Sequence, residues 1–198
     1  MVDPVYILVR TSHRPKFFAV MMASVKEQTY PNIVTIVHSD DPEDTYVYGD
    51  IVLHGKHLGK EHGTFPANLY CNTLLDTIPS DEGWHHYMDD DDVYMEPDTI
   101  AKMVSLASPD CVNFTKNIRP SGVVPKAWGS VRYTNGESMF LHNRHRKLAR
   151  WSGCRGGDNR YCSLLTDKLP IHWIDLITTR MQQSKGYGSR KDMVEVPE

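Results

Sequence analysis

The sequence predicts a three-layer α/β fold with a mostly parallel central sheet. Short apolar runs rich in β-branched residues, such as "VYILV" and "IVTIV", alternate along the chain with segments whose apolar residues recur at helical spacing. Apolar runs without polar alternation are typical of strands buried on both faces, and alternating strands and helices are typical of βαβ units. The chain has 198 residues, is 40% hydrophobic and contains neither a repeat nor a long linker, so we expect one domain over residues 1–198.

The first half of the chain has the clearer pattern. We predict strands at residues 5–10, 33–39, 51–54 and 84–89, and helices at residues 16–28, 65–78 and 96–108. Pro31 ends the first helix and Pro66 opens the second, while acidic residues around Pro97 suit the start of the third.

The pattern weakens after residue 110. Residues 111–117, 136–143 and 171–179 are predicted strands, residues 119–130 a loop and residues 156–168 a short helix. The glycine- and charge-rich segment 184–198 is predicted to be a loosely held tail.

Composition and charge do not favour several classes of function. A net charge of -3 and a pI near 6.4 do not favour binding to nucleic acid or to an anionic membrane. No apolar run has the length of about 18 to 20 residues that a membrane span needs, and the N-terminus lacks the pattern of a secretory signal. We therefore expect a protein of the cytosol, or of the host cytoplasm if a virus encodes it. The four cysteines form no C-x-x-C pair, which favours free thiols over a zinc site.

The stretch "HHYMDDDDVYMEP" carries four consecutive carboxylates at the end of a predicted strand. In an open α/β sheet, ligands bind beyond the carboxyl ends of the strands. Carboxylate oxygens suit Mg²⁺ or Mn²⁺, and either Asp89 with Asp91 or Asp90 with Asp92 could bind one ion together. His172, on the last predicted strand, is a candidate for a third protein ligand. The alternative is a solvated acidic turn.

The segment "ILVRTSHRPKFFAVMMASVKEQTYPNI" contains a predicted strand, a turn and a helix. It resembles the opening of family-2-like glycosyltransferases with the GT-A fold, with His13 in place of the usual Asn. "IVHSDDPEDT" resembles their nucleoside-binding turn, and "PANLYCN" resembles an A-R-N helix start in which Ala67 replaces the arginine. "YMDDDDVYMEPDTI" resembles the D-x-D stretch and "GGDNRYCSLL" the G-E-D helix start, so the resemblance spans about residues 4–165.

The resemblance implies a metal-dependent transfer of a sugar from a nucleoside diphosphate sugar, most simply a UDP-sugar, to a hydroxyl of a glycan or another acceptor. It implies a nucleotide-sugar-binding half at about residues 1–110 and an acceptor and catalytic half at about residues 111–183. The resemblance places the metal on Asp89 and Asp91 and the catalytic base on Asp158. It assigns contacts with the donor to these side chains: Thr11, Arg14, Asp40, Asp41, Asn68, Asp89 and Asp90.

Each assignment has a structural alternative. Asp158 follows two glycines and could simply cap a helix, and Asp40 and Asp41 could form a turn before Pro42. The basic stretch 142–160 could close over the diphosphate, receive an anionic acceptor or remain solvated. Trp128 and Trp151 could pack against a sugar or belong to the core.

Other functions fit the sequence less well. A nucleotidyltransferase usually has a glycine-rich phosphate loop after its first strand, and "RTSHRPK" contains no glycine. A phosphatase or nuclease with two metal ions would need a second acidic cluster facing the first. A nucleotide- or carbohydrate-binding domain of the same fold, without catalysis, remains the non-enzymatic alternative.

Overall fold

A computed structural model describes residues 2–125 and 135–182, which form four α-helices and one nine-stranded sheet. The strands are β1 (Val5–Thr11), β2 (Ile33–Ser39), β3 (Ile51–His54), β4 (Trp84–Asp89), β5 (Asp92–Tyr94), β6 (Val112–Arg119), β7 (Gly122–Val124), β8 (Met139–His142) and β9 (Ile171–Met181). The helices are α1 (Pro15–Lys26), α2 (Tyr70–Thr77), α3 (Thr99–Leu106) and α4 (Gly157–Thr166).

The first four strands form the parallel part of the sheet. β1 lies between β2 and β4, β3 extends the sheet beyond β2, and all three pairings are parallel. The strands predicted at residues 33–39, 51–54 and 84–89 have those bounds, and β1 is one residue longer than predicted. The predicted βαβ unit is therefore confirmed.

Both faces of β1 are buried, and each faces a different layer of helices. Tyr6 and Leu8 belong to a core cluster with Leu74 of α2 and Tyr161 of α4. On the other face, alternate residues of β1 join a second cluster that contains buried side chains of α1 and α3: Ile7, Val9, Phe18, Met21, Ile100 and Met103. The side-chain period of two along β1 thus supplies both cores, and the three-layer prediction is confirmed.

The sheet becomes mixed beyond β4. Its order is β3-β2-β1-β4-β8-β6-β9-β5, with β7 paired to β6. β8 runs antiparallel to β4 and β6, β9 runs parallel to β6, and β5 runs antiparallel to β9. The longest ladders are parallel, as predicted. The short strands β5 and β7 were not predicted, and β7 falls within residues 119–130, where a loop was expected.

The helices are shorter than their patterns indicated. The segment predicted as a helix at residues 65–78 begins with a 3-10 turn over Pro66–Leu69 before α2 starts. The helix predicted at residues 96–108 occupies only Thr99–Leu106. None of the helices in the described ranges is long and apolar enough to cross a membrane. Trp128 and the predicted tail 184–198 lie outside the described residues. The division into two halves near residue 110 stays a prediction.

Candidate active site

The acidic run begins at the last residue of β4, where the neighbouring parallel strands also end. Arg10 of β1 pairs in register with Asp89 of β4, and Thr11 pairs with Ser39 of β2. The loops that follow these three strands therefore leave the sheet at the same edge. Carboxylates at this edge face the region in which open α/β sheets bind their ligands.

Asp90 and Asp92 point into the protein. Asp90 accepts hydrogen bonds from Thr11 Oγ1 and Arg14 Nη1, both at 2.7 Å, and Asp92 accepts one from Arg119 Nη2 at 3.2 Å. Burial raises the pKa of Asp90 to about 7 and that of Asp92 to about 8, although the arginines oppose the rise. Asp90 thus holds the loop after β1, and the contact with the donor that the resemblance assigns to it stays a prediction.

Asp89 and Asp91 are the more accessible pair. Their side chains are 30% and 9% exposed, against 4% and 0% for Asp90 and Asp92. Burial alone would raise the pKa of Asp89, but the Arg10 guanidinium, whose Nε lies 2.9 Å from Oδ1, holds it below its usual range. Burial and then the negative charge of Asp89 raise the pKa of Asp91. Of the two pairs considered, the geometry favours Asp89 with Asp91.

Two charged residues next to the acidic run, Arg119 and Glu137, were not predicted as part of the site. Glu137, in the 3-10 turn before β8, accepts a hydrogen bond from Arg119 Nη2 at 2.7 Å. Burial and the nearby charge of Asp89 raise the pKa of Glu137 well above its ordinary value. Arg119 and Glu137 are brought to Asp89 only by the order of the strands, so no local sequence signal could have identified them. Arg10, directly before Thr11 in the first strand, could have been noticed from its position at a strand end.

Two histidines contact the aspartates of the nucleoside-binding turn predicted after β2. His57 Nδ1 lies 2.9 Å from Asp40 Oδ2, and His13 Nε2 lies 2.8 Å from Asp41 Oδ2. His13 has a φ of 51° and also approaches Asp44, which accepts a hydrogen bond from Ser39 Oγ at 2.6 Å. His13 therefore joins the loop after β1 to the loop after β2. The structure brings Asp40 and Asp41 to the same edge of the sheet as the acidic run.

Asn68 connects the acidic run to the start of α4. Its Oδ1 accepts a hydrogen bond from Arg10 Nη1 at 2.7 Å, and its Nδ2 donates to the carbonyl of Cys154 at 3.1 Å. A Cβ at Gly157 would lie 2.4 Å from Asn68 Nδ2, so only glycine allows α4 to start this close. Asp158 follows in the first turn of α4.

The negative charge of Asp158 acts on the buried thiol of Cys71 in the same site. Burial raises the pKa of the Cys71 thiol to about 12, and the negative charges of Asp89, Glu137 and Asp158 add to the rise. Asp158 is not the N-cap of α4, which is Gly156, and its Oδ1 accepts a hydrogen bond from the adjacent backbone N–H of Asn159 at 2.9 Å.

His172 is not brought to the site. Its Nδ1 lies 3.2 Å from Asn113 Oδ1 at the first residues of β9 and β6, whereas Asp92 pairs with Met181 at the far end of β9. At about 3.3 Å per residue, His172 lies roughly 30 Å along the strand from that pairing. The prediction of His172 as a metal ligand is therefore corrected.

Trp151 belongs to the core. Its side chain stacks on Tyr161 with ring centroids 4.8 Å apart, and its Nε1 donates to the hydroxyl of Tyr87 at 2.8 Å. It is only 5% exposed, so it offers no surface to a sugar.

Asp89 and Asp91 are the two carboxylates of the acidic run that could hold a divalent metal ion. The acidic run and Glu137 place five carboxyl groups beside the guanidinium groups of Arg10, Arg14 and Arg119, and the raised pKa values of Asp90, Asp92 and Glu137 reduce the negative charge of those three near neutral pH. Within residues 2–125 and 135–182, no three His, Cys, Asp or Glu side chains are arranged as a group that could hold a metal ion. Mg²⁺ bound together with a nucleotide needs only one or two carboxylates, because phosphate oxygens and water complete its shell.

Comparison with known proteins identifies the fold. No protein-family model and no curated protein matches the sequence. Among solved structures, the mannosyltransferase PcManGT from Pyrobaculum calidifontis, in complex with GDP-Man and Mn²⁺, is similar with a TM-score of 0.69 at 17% identity over 94% of this chain. S. aureus TarS 1–349, in complex with UDP-GlcNAc, is similar with a TM-score of 0.67 at 13% identity over 98% of this chain. The chain has the GT-A glycosyltransferase fold. It spans 59% and 62% of the length of these two chains.

Proposed function

We propose that this protein transfers a sugar from a nucleoside diphosphate sugar to an acceptor hydroxyl. The observation that carries the proposal is the position of Asp89 and Asp91, more accessible than their neighbours, at the carboxyl end of β4 in a GT-A fold. The similar structures were solved with UDP-GlcNAc and with GDP-Man and Mn²⁺, which supports a nucleotide sugar as donor. A UDP-sugar is the first donor to test.

The donor is expected to bind across the loops that follow β1, β2 and β4. Asp40 and Asp41 would contact the nucleoside, and Thr11 and Arg14 would line the loop beside the diphosphate. Arg14 already bridges Asp90 and Asp91, at 2.7 and 3.2 Å, so its guanidinium lies between the loop after β1 and the acidic run. Arg10 fixes the orientations of Asp89 and Asn68 from below.

A Mn²⁺ or Mg²⁺ ion on Asp89 and Asp91 would supply positive charge to the departing diphosphate when bound. The chain itself supplies the proton acceptor. We assign this role to Asp158, whose carboxylate would take the proton of the acceptor hydroxyl as that oxygen forms a bond to the anomeric carbon. The bond between the anomeric carbon and the phosphate oxygen breaks, and its electron pair leaves with the nucleoside diphosphate. A direct displacement of this kind inverts the anomeric centre.

Donor binding is the first experiment. Calorimetric titration of UDP, GDP and their common sugar conjugates should detect binding of one nucleotide with Mn²⁺ and none with EDTA. Asp91→Asn should lose this binding, whereas Asp167→Asn, an exposed aspartate at the other end of α4, should retain it. If no nucleotide binds to a folded wild type, the donor site assigned here is wrong.

Transfer is tested separately at Asp158. The Asp158→Asn variant should bind donor normally and lose turnover by about 100-fold or more, the usual contribution of a general base. Asp167→Asn again serves as the matched control. Donor binding without turnover in any variant, including the wild type, would instead favour the non-catalytic binding domain.

A further inference from the structure

The arginines of the basic stretch 142–160 separate into two groups. Three of them have acidic partners: Arg144 with Asp110, Arg146 with Asp81 and Arg150 with Asp76. Asp81 and Asp110 precede β4 and β6, and Asp76 lies near the end of α2. These pairs therefore lie near the amino ends of the strands, on the opposite side of the sheet from the acidic run.

The other two arginines lie at the start of α4: Arg155 precedes the helix and Arg160 lies in its first turn. Lys56 and Lys60 lie in the loop after β3, and all four cations are exposed. Within the part of the chain that the structure describes, none of the four forms an ion pair with an acidic side chain. We call these four residues the cationic rim.

Direct contacts hold the two loops of the cationic rim together. The backbone N–H of Phe65 donates to the carbonyl of Gly153 at 2.8 Å, and that of Arg155 donates to Thr64 Oγ1 at 3.1 Å. Gly63 has a φ of +126°, and a Cβ there would lie 2.1 Å from the carbonyl oxygen of Gly153. The loops meet backbone to backbone and form one continuous wall.

This wall borders the proposed active site. At one end His57 contacts Asp40, and at the other the carbonyl of Phe65 accepts a hydrogen bond from the backbone of Asn68. The loop that carries Arg155 leads directly into α4 and Asp158. Phe65 is 50% exposed between the two loops and offers an aromatic face beside the cations.

We propose that the cationic rim binds an anionic acceptor, a glycan that carries phosphate, sulfate or carboxylate groups. The inference rests on the proposed function and extends it to the acceptor. The rim lies on the side of Asp158, where the acceptor hydroxyl must lie, and its four cations outnumber the exposed carboxylate of Glu61 in the loop after β3. Phe65 suits the apolar face of a sugar ring. A nucleic acid is less well matched, because binding by base stacking uses several aromatic side chains along a groove.

The test uses dextran sulfate and neutral dextran as probes, titrated into the protein with UDP and Mn²⁺ present. We expect dextran sulfate to bind and dextran not to bind. The double variant Lys60→Ala with Arg155→Ala should weaken dextran sulfate binding about tenfold. It should also lower the magnitude of the slope of log K against log salt by about one to two, because binding with two fewer cationic contacts releases fewer counterions from the polymer. The matched control is Arg144→Ala with Arg150→Ala, which removes the same charge on the far side of the sheet and should leave binding nearly unchanged.

Four outcomes would overturn the inference. They are no binding of dextran sulfate to the wild type, equal binding of neutral dextran, equal losses in the two double variants, and tighter binding of a single-stranded RNA oligonucleotide than of dextran sulfate. A parallel loss of UDP affinity in Lys60→Ala with Arg155→Ala would assign the rim to the donor instead. UDP and GDP titrations of the wild type without polymer test the proposed function separately, so a failure there is distinguishable from a failure of the rim.

Discussion

His85 provides a quantitative test of the interior beside the site. This residue of β4 is fully buried, its Nδ1 lies 2.9 Å from Asn143 Oδ1, and its Nε2 is buried without a hydrogen-bond partner in the described residues. Nδ1 therefore carries the proton of a neutral ring. A second proton would put a charge and an unsatisfied N–H in the core, and burial lowers the pKa of His85 to about 4.

The size and sign of the effect follow from proton linkage. Because the folded pKa lies below the unfolded value of 6.5, the unfolded state binds the proton first as the pH falls. The destabilisation is nearly absent above pH 6.5 and grows as the pH falls towards 4. Between pH 7 and pH 5, the titration of His85 should lower the free energy of unfolding by roughly 2 kcal/mol.

The assay is urea unfolding of the wild type and of His85→Gln at both pH values. The cost of the substitution should be about 2 kcal/mol smaller at pH 5 than at pH 7, because glutamine can still donate to Asn143 but does not titrate. Leu141→Ala removes the fully buried residue that pairs with His85 on β8 and should cost the same at both pH values. An equal cost for His85→Gln at both pH values would refute the conclusion that His85 is buried in its neutral form.

Three further substitutions test how the loops and the core are held. Gly63→Ala should destabilise the protein by roughly 1–3 kcal/mol in urea unfolding, because φ is +126° and the methyl group would meet the carbonyl oxygen of Gly153. Gln182→Ala removes side-chain hydrogen bonds to the carbonyls of Phe17 and Asp90, at 3.1 and 3.3 Å, and should cost about 1–2 kcal/mol by the same assay. Trp151→Phe retains a ring but removes a donor to Tyr87, and thermal unfolding should record a loss of about 1–3 kcal/mol.

The parallel strands could be predicted because their sequences contain the reason for their burial. β1 and β2 are largely apolar runs bounded by polar turns, and a strand with both faces buried has this pattern whatever its neighbours are. β4 has the sequence WHHYMD, in which aromatic and apolar residues precede the acidic run. β5 and β7 are three residues each and exist because a partner strand is beside them. No local pattern specifies a pairing of that kind.

The residues of the site also divide into those that the sequence could place and those that it could not. The acidic run could be placed because the end of a strand fixes the edge of the sheet at which the next residues lie. The prediction for His172 failed because this residue begins a strand parallel to β6, and the beginning of a parallel strand lies at the opposite edge. Arg119 and Glu137 reach Asp89 through strand order, which the sequence does not state.

Arg10 provides a test of the metal site proposed at Asp89. Its guanidinium contacts Asp89 and Asn68, so Arg10→Met should leave Asp89 without its cation beside Glu137. Breaking a largely buried ion pair from one side costs about 3 kcal/mol, and the cluster would lose one positive charge. Mn²⁺ should therefore raise the melting temperature of Arg10→Met by more than it raises that of the wild type.

The control is Arg119→Met, which removes the same charge next to Asp92 and Glu137 instead of the accessible pair. It should lose stability similarly but gain less from Mn²⁺, because Asp92 is fully buried and cannot serve as a ligand without rearrangement. Equal stabilisation of all three proteins by Mn²⁺ would mean that the ion binds away from Asp89. Greater stabilisation of Arg119→Met than of Arg10→Met would move the site to the buried pair. A larger rise in the melting temperature of Arg10→Met with Mn²⁺ would mean that, without metal, Arg10 pairs with the carboxylate of Asp89 that the ion would bind.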